Sequence, residues 1–230
     1  MTAANQIAKA ITGLLMANVL TEETYPESEF SLPSLTKCIV LRVSANKPSP
    51  PRTVSLERGL ELRATEVHEA QATSDLIHAN LAEFARWFPW ASPTYTPESF
   101  LQWFQSIPSW DEGHWSYTIY CDDQLVGRIS LHRNAEGFME CGYWLSEPWV
   151  GRGLVSRSLV ALEELVGELG MTYAEIHVEM GNVRSRAVAE RNGYREVRRV
   201  WDRPALPGVE HIVLGKNFGP GVAGNNSAPR

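Results

Sequence analysis

The chain has 230 residues, 43% of them hydrophobic and 21% charged, and a formal net charge of −6. That balance speaks against a duplex nucleic-acid binder, which needs a basic face to neutralise phosphate, and no run approaches the roughly 18 apolar residues that span a bilayer. Cys38, Cys121 and Cys141 share no close pair in sequence, so neither a disulfide framework nor a cysteine-rich metal site is expected, and a reducing cytoplasmic setting is.

Residues 1–55 read as an N-terminal extension. Ile7, Ile11, Leu14 and Leu15 fall at roughly helical spacing. The lone basic Lys9, the interrupting Asn18 and the lack of a clean cleavage site argue against a signal peptide. Residues 38–43 have the composition of a short strand. Residues 47–52 are a Pro-rich linker, which sustains neither a helix nor a central strand, so the main domain is expected over 56–218. Residues 219–230 have the composition of a disordered tail.

The main domain begins with a strand over 60–63. Ile77, Leu81, Phe84 and Phe88 then mark one face of a helix that Pro89 ends. The next helix has Thr96 as its N-cap and Pro97 at its first position, and Pro108 stops it. Strands over 115–121, 125–132 and 138–145 follow as an antiparallel meander with polar turns between them. Gly151-Arg152-Gly153 leads into a helix with Val155, Leu159, Leu162, Val166 and Leu169 on one face and Gly170 as its stop. A strand over 174–180, a short helix from Asn182 to Asn192-Gly193, and strands over 194–201 and 210–216 complete the order. The fold class is α+β with one mixed, mostly antiparallel sheet flanked by helices.

Two segments carry the chemistry. In the first, residues 143–154, a strand runs through Gly151 and Gly153 into a helix. The first turn of a helix has unpaired N–H groups and the positive end of the dipole, and flanking glycines let a bulky anion approach. A tight strand-to-helix turn is the plainer reading. The third glycine of a dinucleotide fingerprint and the Gly-Lys-Ser/Thr of a P-loop are both absent, so neither NAD nor a nucleoside triphosphate is expected. In the second, residues 181–194, Asn182 stands at a helix start with Ser185 three positions on; a capping Asn and a solvated Ser are the plainer reading there.

Taken as a pair, these segments resemble the GNAT N-acetyltransferase superfamily, and most closely its RimJ/RimL branch of ribosomal-protein N-terminal acetyltransferases. The residues that carry the resemblance are Glu140-Cys-Gly-Tyr-Trp-Leu145, Gly151-Arg-Gly-Leu154, Asn182-x-x-Ser185 with Asn192-Gly193-Tyr194, and Trp87-Phe-Pro-Trp90. The superfamily's Arg/Gln-x-x-Gly-x-Gly/Ala turn falls here on Val150-x-x-Gly153-x-Val155, keeping only the middle glycine. The resemblance implies a sheet splayed between its central strands, with acetyl-CoA in the gap and no metal. It places the pyrophosphate on the N–H groups of Val150, Gly151, Arg152, Gly153, Leu154 and Val155, and pantetheine on the backbone of Trp144 and Leu145 and on Asn182.

The same resemblance makes Ser185 the group that protonates the leaving thiolate. Glu140 is the first candidate for the base. His177 is the second; Glu175 and Glu179 share its strand face, and neighbouring carboxylates favour the imidazolium, so it ranks lower. His132 is a weaker third and a candidate acceptor contact. Trp87, Trp90 and Trp144 are expected to border the acceptor pocket, with a core role as the alternative for each. Cys141 reads as a buried small residue. The expected acceptor is a protein or peptide α-amine. A small-molecule amine is the first alternative and a silent acyl-CoA-binding module the second. Relatives are often dimers, so a homodimer is an expectation.

Overall fold

The computed structural model describes residues 49–133, 138–201 and 208–218. The apolar stripe of residues 7–15, the 38–43 strand and the tail lie outside them. Eight strands form one sheet: β1 (Thr53–Ser55), β2 (Leu60–Ala64), β3 (His114–Cys121), β4 (Gln124–Arg133), β5 (Met139–Leu145), β6 (Tyr173–Glu179), β7 (Arg195–Val200) and β8 (His211–Asn217). Their order is β1-β2-β3-β4-β5-β6-β8-β7. Among the described residues five α-helices join them: α1 (Ala70–Ala79), α2 (Leu81–Phe84), α3 (Pro97–Ser106), α4 (Leu154–Glu168) and α5 (Val183–Arg191).

The pairing at the middle of the sheet creates the site. β5 and β6 run parallel, and only Met139–Cys141 pair with Ala174, Glu175 and Ile176. Beyond that point β5 stays on β4 as far as Leu145 opposite Gly127. β6 stays on β8 as far as Glu179 opposite His211. Each strand keeps its outer partner and loses the inner one, so the sheet opens as a wedge. Backbone groups on the facing edges are left without a ladder partner, which is where a ligand can add its own.

One face of the sheet is covered by α4, whose Leu159, Leu162 and Val166 are fully buried; each contributes on the order of 2 kcal/mol. The other face carries α1 to α3 and a second, aromatic-rich core around Ile77, Phe84 and Phe100. Strand alternation decides what each face receives. Ile129 and Leu131 join the α4 core, while Arg128, Ser130 and His132 line the space under α1 to α3.

Two elements differ from the sequence reading. The sheet takes in Thr53–Ser55, ahead of residue 56, because β1 pairs with β2. The preceding prolines supply acceptors: Pro50 C=O to Trp110 Nε1 (3.2 Å) and Pro51 C=O to Tyr117 OH (2.7 Å). The helix through Ile77 and Phe84 is broken at Asn80. There Asn80 Oδ1 accepts from Glu147 N (2.8 Å) and Ser146 Oγ (3.2 Å), which ties the break to the far end of β5.

The start of α3 is as read. Thr96 Oγ1 accepts from Ser99 N (3.3 Å) and Ser99 Oγ from Thr96 N (3.2 Å), a reciprocal box with Pro97 at the first position. Thr96→Ala is expected to cost about 1 kcal/mol, read in a melt as a Tm lower by about 2–4 °C.

Candidate active site

Two spaces meet in the wedge. On the α1–α3 side lies a cavity of about 220 Å³. Adjoining it, and also lined by Glu83 and Phe84 of α2, is a groove of about 140 Å³ running to the Gly151–Gly153 turn. Both touch Trp87, Phe88, Tyr143, Trp144, Asn182 and Ser185. Those residues are therefore the seam where two ligands, one from each side, can come into contact.

The groove runs past the start of a helix. Gly151 and Gly153 have φ of +82° and +73°, left-handed values that favour glycine. A Cβ at either would meet nothing within 4 Å, so conformation rather than crowding requires glycine there. The first hydrogen bond of α4 runs from Arg157 N to Gly153 C=O (3.0 Å). The N–H groups of Leu154, Val155 and Ser156 consequently have no acceptor within the helix. Trp144, Leu145, Val150 and Asn182 line the groove as well. Arg152 does not; it stacks on Trp149 at 4.5 Å. Arg184 and Arg191 line the groove instead, and nothing in the motif spacing pointed to them.

At the seam, Ser185 Oγ donates to Tyr143 OH (3.2 Å), and Tyr143 OH donates to Ser185 C=O (3.0 Å). Burial pushes the Tyr143 phenol up, so it stays protonated and able to donate. Asn182 Oδ1 caps α5 through Ser185 N (3.1 Å), as its plainer reading had it, and this fixes Ser185 at the mouth of the wedge. Tyr143 is a residue the sequence reading passed over, although it stands inside the motif next to Trp144.

The cavity wall comprises Trp87, Trp90 and Trp144, joined by Phe88, Tyr95 and Trp103. Phe88 and Trp90 stack at 5.0 Å, and Trp144 packs edge-on to Phe84 at 5.4 Å. Opposite them is an ionisable cluster. Glu140 Oε2 lies 3.8 Å from His132 Nε2 and 3.9 Å from His177 Nε2. The register explains the meeting, since His132 and Glu175 are the cross-strand partners of Glu140 on its two sides.

His177 Nε2 is 3.2 Å from Glu175 Oε2. Tyr173 OH (3.0 Å) and both terminal nitrogens of Arg198 donate to Glu175 as well. Burial pushes Glu175 up, but the hydrogen bonds from His177 and Arg198 and the charge of Arg198 outweigh it and hold the carboxyl at about 2. Glu175 is thus a fixed anion that orients His177, and Glu140 is the carboxylate that faces the cavity. Cys141 is buried, and burial pushes its thiol up, away from any nucleophilic state.

A family model for the acetyltransferase (GNAT) domain matches residues 60–195. The chain belongs to the GNAT acetyltransferase family. YdaF of Bacillus subtilis (strain 168), whose name marks it as a candidate ribosomal N-acetyltransferase, is 25% identical over 173 residues, 70% of this chain and 92% of that protein. The ribosomal-protein-serine acetyltransferase of Escherichia coli (strain K12) is 27% identical over 147 residues, 62% of this chain and 82% of that protein. Among solved structures, the microcin C7 self-immunity acetyltransferase MccE, in complex with acetyl-CoA and AMP, has the same fold. Its TM-score is 0.66 at 19% identity, over 73% of this chain and 97% of that one. The splayed α+β sheet expected from the resemblance is the GNAT fold.

Proposed function

We propose that this GNAT acetyltransferase moves acetyl from acetyl-CoA to the α-amine of a protein or peptide. The observation that carries the reading is the seam: an anion-binding groove and an aromatic-walled cavity share Tyr143, Trp144, Asn182 and Ser185 where β5 leaves β6. The groove suits the carrier, because the idle N–H groups of the first turn of α4 match a pyrophosphate. The released edge of β5 at Trp144 and Leu145 offers main-chain groups to an amide-bearing arm. Acetyl-CoA supplies an activated thioester when bound.

The chain's own residues then divide the work. A β5 N–H at the wedge stabilises charge on the carbonyl oxygen. The paired hydroxyls of Ser185 and Tyr143 deliver a proton to the leaving sulfur. Glu140, with His132 and His177 beside it, takes the proton of the amine. An α-amine near pKa ~7.8 needs only about 1 kcal/mol to be neutral at pH 7, against roughly 4–5 for a lysine amine. A modest base of this kind therefore suits an α-amine. The names of the B. subtilis and E. coli relatives favour ribosomal proteins as acceptors, and a cytoplasmic setting agrees with the buried free thiols of Cys121 and Cys141.

A small-molecule amine is the second reading, favoured by the stacked rings of Phe88 and Trp90, which suit a flat ligand as well as a peptide. Thiol release from acetyl-CoA, measured against peptides and small amines, separates the two. Peptide turnover is expected; binding of acetyl-CoA in calorimetry with no turnover on any amine would reduce the protein to a silent acyl-CoA-binding module. Ser185→Ala is expected to lower kcat by about 10- to 100-fold, while acetyl-CoA affinity from the same calorimetry stays near that of the parent.

A further inference from the structure

One charge in the acceptor cavity is used by none of these steps. Arg128 on β4 is 6% exposed and lines the cavity at its aromatic end. A guanidinium has five N–H donors, yet among the described residues that of Arg128 makes one hydrogen bond, from Nη2 to Thr73 Oγ1 at 3.2 Å. Its Nε is buried without an acceptor. Glu69 Oε2 stands 3.7 Å away, too far for a hydrogen bond. Moreover, the Glu69 carboxylate already accepts from Thr118 Oγ1 (2.7 Å), Tyr120 OH (2.8 Å) and Glu66 N (3.2 Å).

The contrast within the same molecule is Arg198, whose two terminal nitrogens each meet an oxygen of Glu175. A structural arginine is served in that way. Arg128 is instead surrounded by the rings of Trp103, Phe100 and Trp144, 4.9 to 5.5 Å from its central carbon. Rings hold a guanidinium by its faces and leave the donor edge for a planar anion. A buried charge with idle donors beside a cavity is costly unless something fills them.

We infer that Arg128 docks an anionic group of the acceptor, a carboxylate or a phosphate carried about four residues from the amine that is acetylated. This rests on the acetyl-transfer reading above and names the class of acceptor. Arg128 and His132 are four residues apart on one face of β4, which spans ~13 Å at ~3.4 Å per residue. Glu140 stands opposite His132, and Trp144 opposite Arg128. The cavity therefore has the Glu140 carboxylate at one end and, at the other, the idle N–H donors of Arg128, whose charge is paired with the buried Glu69 carboxylate at 3.7 Å. An extended acceptor lying between the two advances ~3.4 Å per residue, so an amine near Glu140 brings the side chain about four residues on, that of the fifth residue, to Arg128. A carboxylate at one end and unfilled N–H donors at the other also fix which way round the acceptor enters.

The deciding test is binding, which needs no turnover. N-acetylated peptides with Asp, phosphoserine or Asn at the fifth position are titrated into the full chain with CoA present, and the fluorescence of the cavity tryptophans is followed. The Asp or the phosphoserine peptide, or both, is expected to bind about tenfold tighter than the Asn peptide, and whichever binds tighter identifies the anion. In Arg128→Met that preference should disappear, and in Arg128→Lys shrink, because a lysine keeps the charge without the fork. Equal affinity of all three peptides for the parent protein overturns the inference even if either variant fails to fold. Turnover of the unacetylated peptides is scored separately: its absence with the anion preference intact counts against the transfer reading alone, not against the docking role of Arg128.

Discussion

Gly127→Ala is expected to lower Tm by about 2–12 °C and kcat/KM by at least about 100-fold. Gly127 lies on β4 opposite Leu145, at the last pair before β5 leaves the sheet. A Cβ there would stand 2.4 Å from the Trp144 carbonyl oxygen and 3.0 Å from Leu145 Cα, contacts with backbone that cannot swing aside. β4 and β5 have to separate, at a cost of roughly 1–3 kcal/mol for forced overpacking, which gives the Tm shift for a chain of this size. The catalytic loss is larger because the displaced segment is the β5 edge assigned to the thioester arm, and a misplacement of ~1 Å can cost ~100-fold. Gly167→Ala is the control. It lies in α4, its Cβ would meet only Phe218 Cδ2 at 3.9 Å, and replacing a helical glycine should add about 0.5–1 kcal/mol. Denaturant unfolding and initial rates on both variants check the pair; an unchanged unfolding midpoint for Gly127→Ala would show that the strands absorb the methyl group.

What could be read before any coordinates were known divides along a physical line. Signals confined to one stretch of chain were legible: the Thr96-Pro97 start of α3, the stop at Gly170, the alternation along β3 to β5, and the positive-φ glycines ahead of α4. Features set by a distant partner were not. Asn80 sits within an in-phase helical stripe, and the break there goes with its hydrogen bonds to Ser146 and Glu147, more than sixty residues on, beside a local one from Nδ2 to the Leu76 carbonyl oxygen. β1 follows a Pro-rich run and exists because β2 offers it an edge. The same line runs through the site. Trp87, Trp90, Trp144, Glu140, His132 and His177 line one cavity. That Glu140 stands between His132 and His177 follows from sheet register, which no single segment contains. Arg128 was passed over because a lone arginine in an apolar strand carries no signal until the strand is known to face a cavity. The one available hint was its place in the buried centre of β4.

Stability should fall as the solution is acidified below about pH 6.5, and one histidine should account for most of the first part of that fall. His114 on β3 is buried with neither ring nitrogen hydrogen-bonded, and it stacks on His132 at 5.5 Å. Burial, and secondarily the neighbouring His132, lower its pKa to about 3. Between that value and the ordinary ~6.5 the unfolded chain binds a proton that the folded chain refuses, so stability declines by about 1.4 kcal/mol per pH unit on the way down. At pH 4.5 the loss amounts to about 3 kcal/mol. Below pH 4.5 Glu175, held at about 2 by its partners, adds a second proton and roughly doubles the slope. His114→Phe keeps the stacked ring, removes the titration and leaves no polar atom unpaired. Its stability at pH 7 is expected to be close to that of the parent, and its advantage to grow to about 3 kcal/mol by pH 4.5. Urea unfolding of both proteins at half-unit steps from pH 7 to 4.5 measures this directly. Parallel curves would mean that His114 takes up its proton in the folded state and that the pocket between β3 and β4 admits the charge.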